Sequence, residues 1–221
     1  MNRDLVCLMV KEPRAGEVKT RLAPAVGPHG AAALASAFLR DTLAALRGLP
    51  WSRVVVSVAG DPGALDLPPG VEGWDQGDGD LGERMERALQ RALARTPRAF
   101  VVGADLPGLP ARLLHAARLA LGHHQAVLGP TADGGFYLLG LDGCEPGLLA
   151  DLPWSRSDTL ARTEERLRNR GLTVALVEPW FDVDAPEDLA RLARAIAAGE
   201  VCAPASARML ASLGLAEAAA P

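Results

Sequence analysis

The chain has 221 residues, 49% of them apolar and 23% charged, which suits one domain with a substantial core and excludes wholesale disorder. A formal net charge of −4 argues against a general nucleic-acid binder, and a basic cluster on such a chain is a local feature that suits a small anionic ligand. No apolar stretch approaches the ~20 residues of a membrane span, and Cys7, Cys144 and Cys202 are isolated, odd in number and without metal spacing. With Met-Asn-Arg-Asp leading straight into an apolar run and no signal-peptide layout, the expectation is a cytoplasmic, reduced protein.

The first element is an apolar run, Leu5–Val10, which reads as a buried strand with Cys7 as one of its small hydrophobes. Pro13 and Gly16 break it into a loop that carries Lys11, Arg14, Lys19 and Arg21. Gly30–Arg47 is an Ala-rich helix with recurrent Leu and Phe. Arg53–Ala59 is a β-branched strand that ends at the turn Gly60-Asp61-Pro62-Gly63. The Gly, Pro and Asp-rich stretch to Asp80 holds one short strand near Val71–Trp74.

Leu81–Arg95 is the second helix and Ala99–Gly103 the third clear strand. A helix over Leu109–Leu121 precedes two strands around a turn, Gln125–Leu128 and Gly135–Leu141. Ser155–Arg170 reads as a helix with Ser155 as N-cap. Thr173–Val177 is a strand and Pro186–Ala198 the last major helix. The Ala-rich tail carries helical character and is expected to fray at its final residues. Continuous apolar strands alternating with helices predict an α/β fold with a mostly parallel sheet covered on both faces. No repeat or linker splits the chain.

In such sheets ligands sit beyond the carboxyl ends of the strands, and the polar motifs of this chain lie there. Lys11–Arg21 follows the first strand, and Gly103-Ala104-Asp105-Leu106-Pro107 follows the third. Gly129-Pro130-Thr131-Ala132-Asp133-Gly134-Gly135 follows the strand at Gln125, and Phe181-Asp182-Val183-Asp184 follows the one at Thr173. Four such loops are expected to converge on one cleft.

The first loop lacks the spacing of a Walker A element or a dinucleotide fingerprint. Its place between a buried strand and a helix still suits a phosphate, met by backbone N–H groups and neutralised by side chains. Asp105 can hold a hard divalent cation that bridges a diphosphate, or it can serve as a turn former before Pro107. Asp182 and Asp184, two apart, point the same way in extended backbone. Asp184 also reads as a cap for the helix that starts at Pro186. Asp133-Gly134-Gly135 reads equally as a hairpin turn or as a place where substrate approaches the backbone while Asp133 binds hydroxyls. Gly82 and Arg84, at the start of a helix, are either nucleotide contacts or ordinary surface. No Ser/His/Asp or Cys/His nucleophile pattern stands out.

Taken together these motifs carry a resemblance. Lys11-x-Pro13-x-x-Gly16-x-Val18-Lys19-Thr20-Arg21-Leu22, Gly79-Asp80-Leu81-Gly82-x-Arg84-Met85, Ala104-Asp105-x-Pro107 and Gly129-Pro130-x-x-Asp133-Gly134-Gly135-Phe136-Tyr137-Leu138 recur in one family, as do Pro153-Trp154-Ser155 and Asp182-Val183-Asp184-x-Pro186-Glu187-Asp188-Leu189. The chain resembles the DUF2064 family of the GT-A, nucleotide-diphospho-sugar transferase superfamily. Within it, the chain is similar to the bacterial branch of arsenosugar-biosynthesis-type glycosyltransferases, companions of radical-SAM proteins. The resemblance implies a Rossmann-like GT-A fold, three layers α/β/α with a mixed, mostly parallel sheet. One nucleotide-binding transferase domain would span 1–200, followed by an Ala-rich helix and tail over 201–221.

It further implies Mg²⁺ or Mn²⁺ on Asp105 and Asp184, with Asp182 as the other candidate ligand. A nucleotide would meet Lys11, Pro13, Gly16, Lys19, Arg21, Gly82, Arg84, Asp105, Gly134 and Gly135. Two features depart from the wider superfamily: Ala185 replaces the Thr of a related Asp-Thr-Pro-Glu-Asp segment, and Leu106-Pro107 follows Asp105 where many glycosyltransferases have Asp-x-Asp.

Glycosyl transfer from a nucleotide-diphospho-sugar to a small acceptor is the reading the family supports. Lys19 and Arg21 would then stabilise the departing nucleoside diphosphate and Asp133 would bind or deprotonate the acceptor. Nucleotidyl transfer from a triphosphate, with loss of pyrophosphate, is the alternative that the number of cations favours. A non-catalytic nucleotide-binding domain is the third. The sequence leaves the base, the acceptor and the oligomeric state unspecified.

Overall fold

The computed structural model describes residues 3–216. Its elements run β1 (Asp4–Lys11), α1 (Ala23–Arg47), β2 (Ser52–Ala59), β3 (Glu72–Asp75), α2 (Leu81–Leu93), β4 (Ala99–Gly103), α3 (Ala111–Ala120), β5 (Ala126–Pro130), β6 (Phe136–Leu141), α4 (Thr159–Asn169), β7 (Val174–Leu176), α5 (Pro186–Ala197) and α6 (Pro204–Ser212). The strands form one sheet in the order β3-β2-β1-β4-β6-β5-β7. Only β6 runs against its neighbours; the other pairings are parallel.

The alternation of side chains along β1 sends its residues to two cores. Val6, Leu8 and Val10 pack with Leu39, Leu43 and Leu46 of α1 and with Leu113 and Leu114 of α3. Leu5 and Cys7 face the other side, against Met85 and Leu89 of α2 and Leu167 of α4. Such large side chains stabilise the fold by roughly 1.5–3 kcal/mol each on full burial. The result is the expected α/β/α layering, with β1 central because both its faces are apolar.

A third cluster, outside the sheet, joins Leu34 and Phe38 of α1 to Phe181, Val183, Leu192 of α5 and Leu210 of α6. Asp41, buried within α1, accepts from the backbone N–H groups of Ala205 and Ser206 and so caps α6 from a distance. The last residues of the tail, expected to fray, lie outside the described residues.

Three local expectations need correction. Ser155 does not cap α4: it sits in a turn at φ 59, and the helix begins four residues later, where the Thr159 hydroxyl accepts from Arg156 N–H and donates to nearby carbonyls. Asp184 does not cap α5 either. Ala185 is the N-cap residue, and the Asp188 carboxylate reaches back to the N–H groups of Asp184 and Ala185. That frees the Asp184 side chain. Finally α1 starts seven residues before Gly30, with a break at Gly27 (φ 72) ahead of Pro28.

Candidate active site

Because β6 alone is reversed, the ends of β1, β4, β5 and β7 and the start of β6 share one edge of the sheet. The sheet order turns back between β1 and β4, whose chain neighbours lie on opposite sides, and this is where a crevice opens. A cleft of about 280 Å³ occupies it, lined by Lys11, Lys19, Arg21, Ala104, Asp105 and Asp184 among others.

Backbone contacts build this cleft from distant segments. Ala104 N–H donates to Met9 O at 3.1 Å, which keeps the β4 end beside β1. Beyond β7 the chain continues along β5, with Val177 N–H on Leu128 O and Trp180 N–H on Pro130 O. Val183 N–H then donates to Asp105 O at 3.1 Å. Phe181 and Val183 are buried in the third core, so Asp182 and Asp184 alternate to the opposite side.

Lys19 is the centre of the cleft. Its ammonium lies 2.8 Å from Asp105 Oδ2 and also donates to Asp184 Oδ1. Its side chain is only 5% exposed, against 44% and 43% for the two carboxylates. Burial alone would push the Lys19 amine down. The charges of Asp105 and Asp184 and their hydrogen bonds outweigh it and raise its pKa. Lys19 also holds φ 47, a conformation that residues with a side chain rarely adopt.

Asp184, not Asp182, shares this cation with Asp105. Asp182 is pushed up to about 6, first by burial and then by the charges of Asp184 and Asp133. Among the described residues no three His, Cys, Asp or Glu side chains converge as a metal cage. Asp105 and Asp184 nevertheless fit a divalent cation. They are hard oxygen donors from separate loops that already meet on one positive charge, and phosphate oxygens or water would complete the shell.

The other cations of the first loop have diverged in role. Lys11 lines the cleft and its ammonium donates to Glu17 O at 2.9 Å, closing the loop on itself. Arg21 also lines the cleft. Arg14 instead pairs with Glu12 at 2.7 Å on the exposed side, where Glu12 also accepts from Asp61 N–H. Pro13 faces a separate cavity of about 460 Å³ between α1 and residues 64–68. Gly16, at φ 82 in an exposed turn, has nothing near it.

Three of the four expected loops line this first cleft, and the Asp133 loop lines a neighbouring cavity. The second, about 210 Å³, is lined by Met85, Gly103, Asp133, Phe136, Trp154 and Thr159, with Met9 lining both. Asp133 Oδ1 accepts from the Thr131 hydroxyl at 2.5 Å and from Gly135 N–H at 3.0 Å, so the turn orders its own acid. Gly134 packs onto α4's approach: a Cβ there would come within 1.9 Å of Ser157 O. Gly82 faces inward, where a Cβ would meet Leu149 O at 2.4 Å and the Trp154 ring at 2.6 Å. Its role is therefore close packing, while the neighbouring Arg84 keeps a buried Nε without a partner.

Sequence reasoning missed the aromatic wall of this second cavity. Phe136 and Trp154 meet edge to face, with ring centroids 6.3 Å apart, and the Trp154 indole N–H is buried without a partner. Both residues stand within motifs that carried the resemblance, but a lone aromatic gives no sign of which cavity it lines.

The family profile described as "Uncharacterized protein conserved in bacteria (DUF2064)" matches residues 34–156. The chain belongs to the DUF2064 family. This DUF2064 protein is 36% identical over 192 residues to the phosphoenolpyruvate guanylyltransferase of Streptosporangium roseum, covering 82% of this chain and 81% of that one. It is 35% identical over 198 residues to the Rubrobacter xylanophilus protein of the same name, covering 83% and 90%. A crystal structure from Desulfovibrio desulfuricans G20, whose protein carries a provisional nucleotide-diphospho-sugar transferase name, superimposes with a TM-score of 0.83. That match has 32% identity and covers 96% of this chain and 97% of the other. The DUF2064 chain is thus a transferase with the α/β fold of nucleotide-using enzymes. No helix among its described residues is long and apolar enough to cross a membrane.

Proposed function

We propose that the protein catalyses metal-assisted nucleotidyl transfer, from a nucleoside triphosphate to a small anionic acceptor, with release of pyrophosphate. The observation that carries this reading is the make-up of the first cleft. Lys11, Lys19 and Arg21 line a space of about 280 Å³ together with Glu17, Asp105 and Asp184. Three cations suit the charge of a triphosphate better than that of a nucleotide sugar.

Mg²⁺ or Mn²⁺ on Asp105 and Asp184 would act as a Lewis acid on the phosphate oxygens. The chain's own residues do the rest. Lys19 and Arg21 hold the phosphates and stabilise the negative charge that grows on the leaving pyrophosphate. Lys11 supplies a further contact at the cleft rim. The acceptor sits in the second cavity beside Phe136 and Trp154, where Arg156 lines the wall with a charge opposite to its own. From there its oxygen attacks the α-phosphorus as the bond to the β-phosphate breaks. The names of the two curated relatives make GTP and phosphoenolpyruvate the first pair to try.

A second reading, glycosyl transfer, is favoured by the aromatic pair Phe136 and Trp154 beside Asp133, a lining that suits the apolar face and hydroxyls of a sugar ring. The provisional name of the Desulfovibrio relative points the same way. In that reaction an acceptor hydroxyl attacks the sugar carbon and a nucleoside diphosphate leaves.

The products separate the two. With Mn²⁺, each nucleoside triphosphate is incubated with phosphoenolpyruvate and related phosphorylated acids, and in parallel each nucleotide sugar with small hydroxylated acceptors. Acceptor-dependent pyrophosphate is the expected result. Nucleoside diphosphate from a sugar nucleotide, with no pyrophosphate from any triphosphate, would overturn the first reading in favour of the second.

A further inference from the structure

We propose that the Lys19 ammonium and the divalent cation exclude each other between Asp105 and Asp184, so that the metal enters together with a polyphosphate that draws Lys19 away. This rests on the reading of the cleft as a metal–nucleotide site, and it adds the form in which the ligand is recognised: the metal–nucleotide complex rather than the free metal.

The geometry argues for exclusion. One buried ammonium engages an oxygen of each carboxylate, at 2.8 Å on Asp105 and by a direct hydrogen bond to Asp184. Lys19 is nearly sealed from solvent while its partners are open to the cleft. The space between the carboxylates is therefore filled from the protein side, and their open faces look towards the ligand. A divalent ion held by the same pair would face an uncompensated ammonium across a short distance in a partly dry site, where like charges repel strongly.

The same segment has somewhere to go. Lys11 and Lys19 are the only two lysines in the chain, and both are engaged internally, Lys11 by the Glu17 carbonyl and Lys19 by the two acids. A polyphosphate offers Lys11 a charged acceptor in place of a carbonyl, and offers Lys19 another anion once the metal takes its two acids. Upstream, Gly16 turns at φ 82 in an exposed stretch of the same loop. Among the described residues no third acid joins Asp105 and Asp184 in a metal cage, so a free metal gains little, whereas a metal that brings its own phosphate oxygens completes its shell.

The test is a Mn²⁺ titration followed by electron paramagnetic resonance, without nucleotide, on the wild type, Lys19→Met and Lys19→Met/Asp105→Asn. Lys19→Met is expected to bind Mn²⁺ at least tenfold more tightly than the wild type, and the double variant to lose that gain. Equal or weaker binding by Lys19→Met, or tight binding that survives Asp105→Asn, overturns the proposal. A second measurement needs no variant and so stands even if Lys19→Met unfolds. Limited acetylation of the wild type, read by peptide mass spectrometry, should modify Lys19 far more slowly than Lys11, and Mn²⁺ raised to the plateau of its titration should speed Lys19 several-fold. Unchanged Lys19 reactivity at that plateau also overturns it. Neither readout involves transfer, so an inactive protein that passes both would refute the proposed function alone. An active one that fails either would refute the exclusion alone.

Discussion

The two cavities that flank Met9 are built on different physical principles. The one at β1 and β4 is made of charge, with Lys11, Lys19 and Arg21 against Asp105 and Asp184, and it takes its order from ion pairs and one strained backbone. The one at β4 and β6 is made of packing, with Phe136 and Trp154 edge to face and Gly82 so close to Trp154 that an added methyl would push on the ring. Charge can be rearranged by a ligand that offers better partners. Packed rings and glycine contacts cannot, so the first cavity is suited to a moving reaction charge and the second to selecting what enters.

The sharpest way to break this division is at Asp105. In Asp105→Asn the size of the side chain is kept and Lys19 retains Asp184, so the fold should persist. Transfer should fall by about 10²–10³-fold, the scale seen when one preorganised electrostatic group is removed. A steady-state assay of kcat, with thermal melting as the control, checks this. Full metal-dependent activity would remove Asp105 from the site.

Gly82→Ala attacks the packed cavity instead. The added methyl would come within 2.4 Å of Leu149 O and 2.6 Å of the Trp154 ring. Overpacking of this kind costs typically about 1–3 kcal/mol, and for a chain of this size each kcal/mol lowers the melting temperature by about 2–4 °C. Trp154 must shift, so the KM for the acceptor should rise several-fold while that for the nucleotide stays close to wild type. If both rise together, the two cavities are not independent.

Much of this was legible from the residues, for reasons that differ along the chain. The strands of the sheet interior were readable because a buried strand is apolar on both faces, as in Leu5–Val10 and Ala99–Gly103, while the edge strand β3 was marked only by a short run in a turn-rich stretch. The placing of four polar motifs at one edge followed from strand direction alone. What escaped depends on tertiary partners. Ser155 has the chemistry of a cap but stands in a positive-φ turn, and Asp184 has the spacing of a cap but leaves that place to Asp188. Gly82 reads as an exposed helix start until Trp154, seventy-two residues later in the chain, packs over it. The meeting of Phe136 and Trp154 on the wall of the second cavity is likewise something no local pattern encodes.

The first loop offers the finest distinction, because its cations look equivalent in sequence. Lys11→Ala removes a cleft-lining charge and the clasp on Glu17 O, and should raise the KM for the nucleotide several-fold with kcat little changed. Arg14→Ala removes only an exposed pair with Glu12. An ion pair whose cation is open to water contributes little, so its melting temperature and both KM values should match the wild type. The contrast matters because the argument for a triphosphate counts cations. If Arg14→Ala weakens nucleotide binding as much as Lys11→Ala, the loop acts as a diffuse positive field rather than through the side chains that line the cleft. Three converging cations would then no longer favour a triphosphate over a nucleotide sugar.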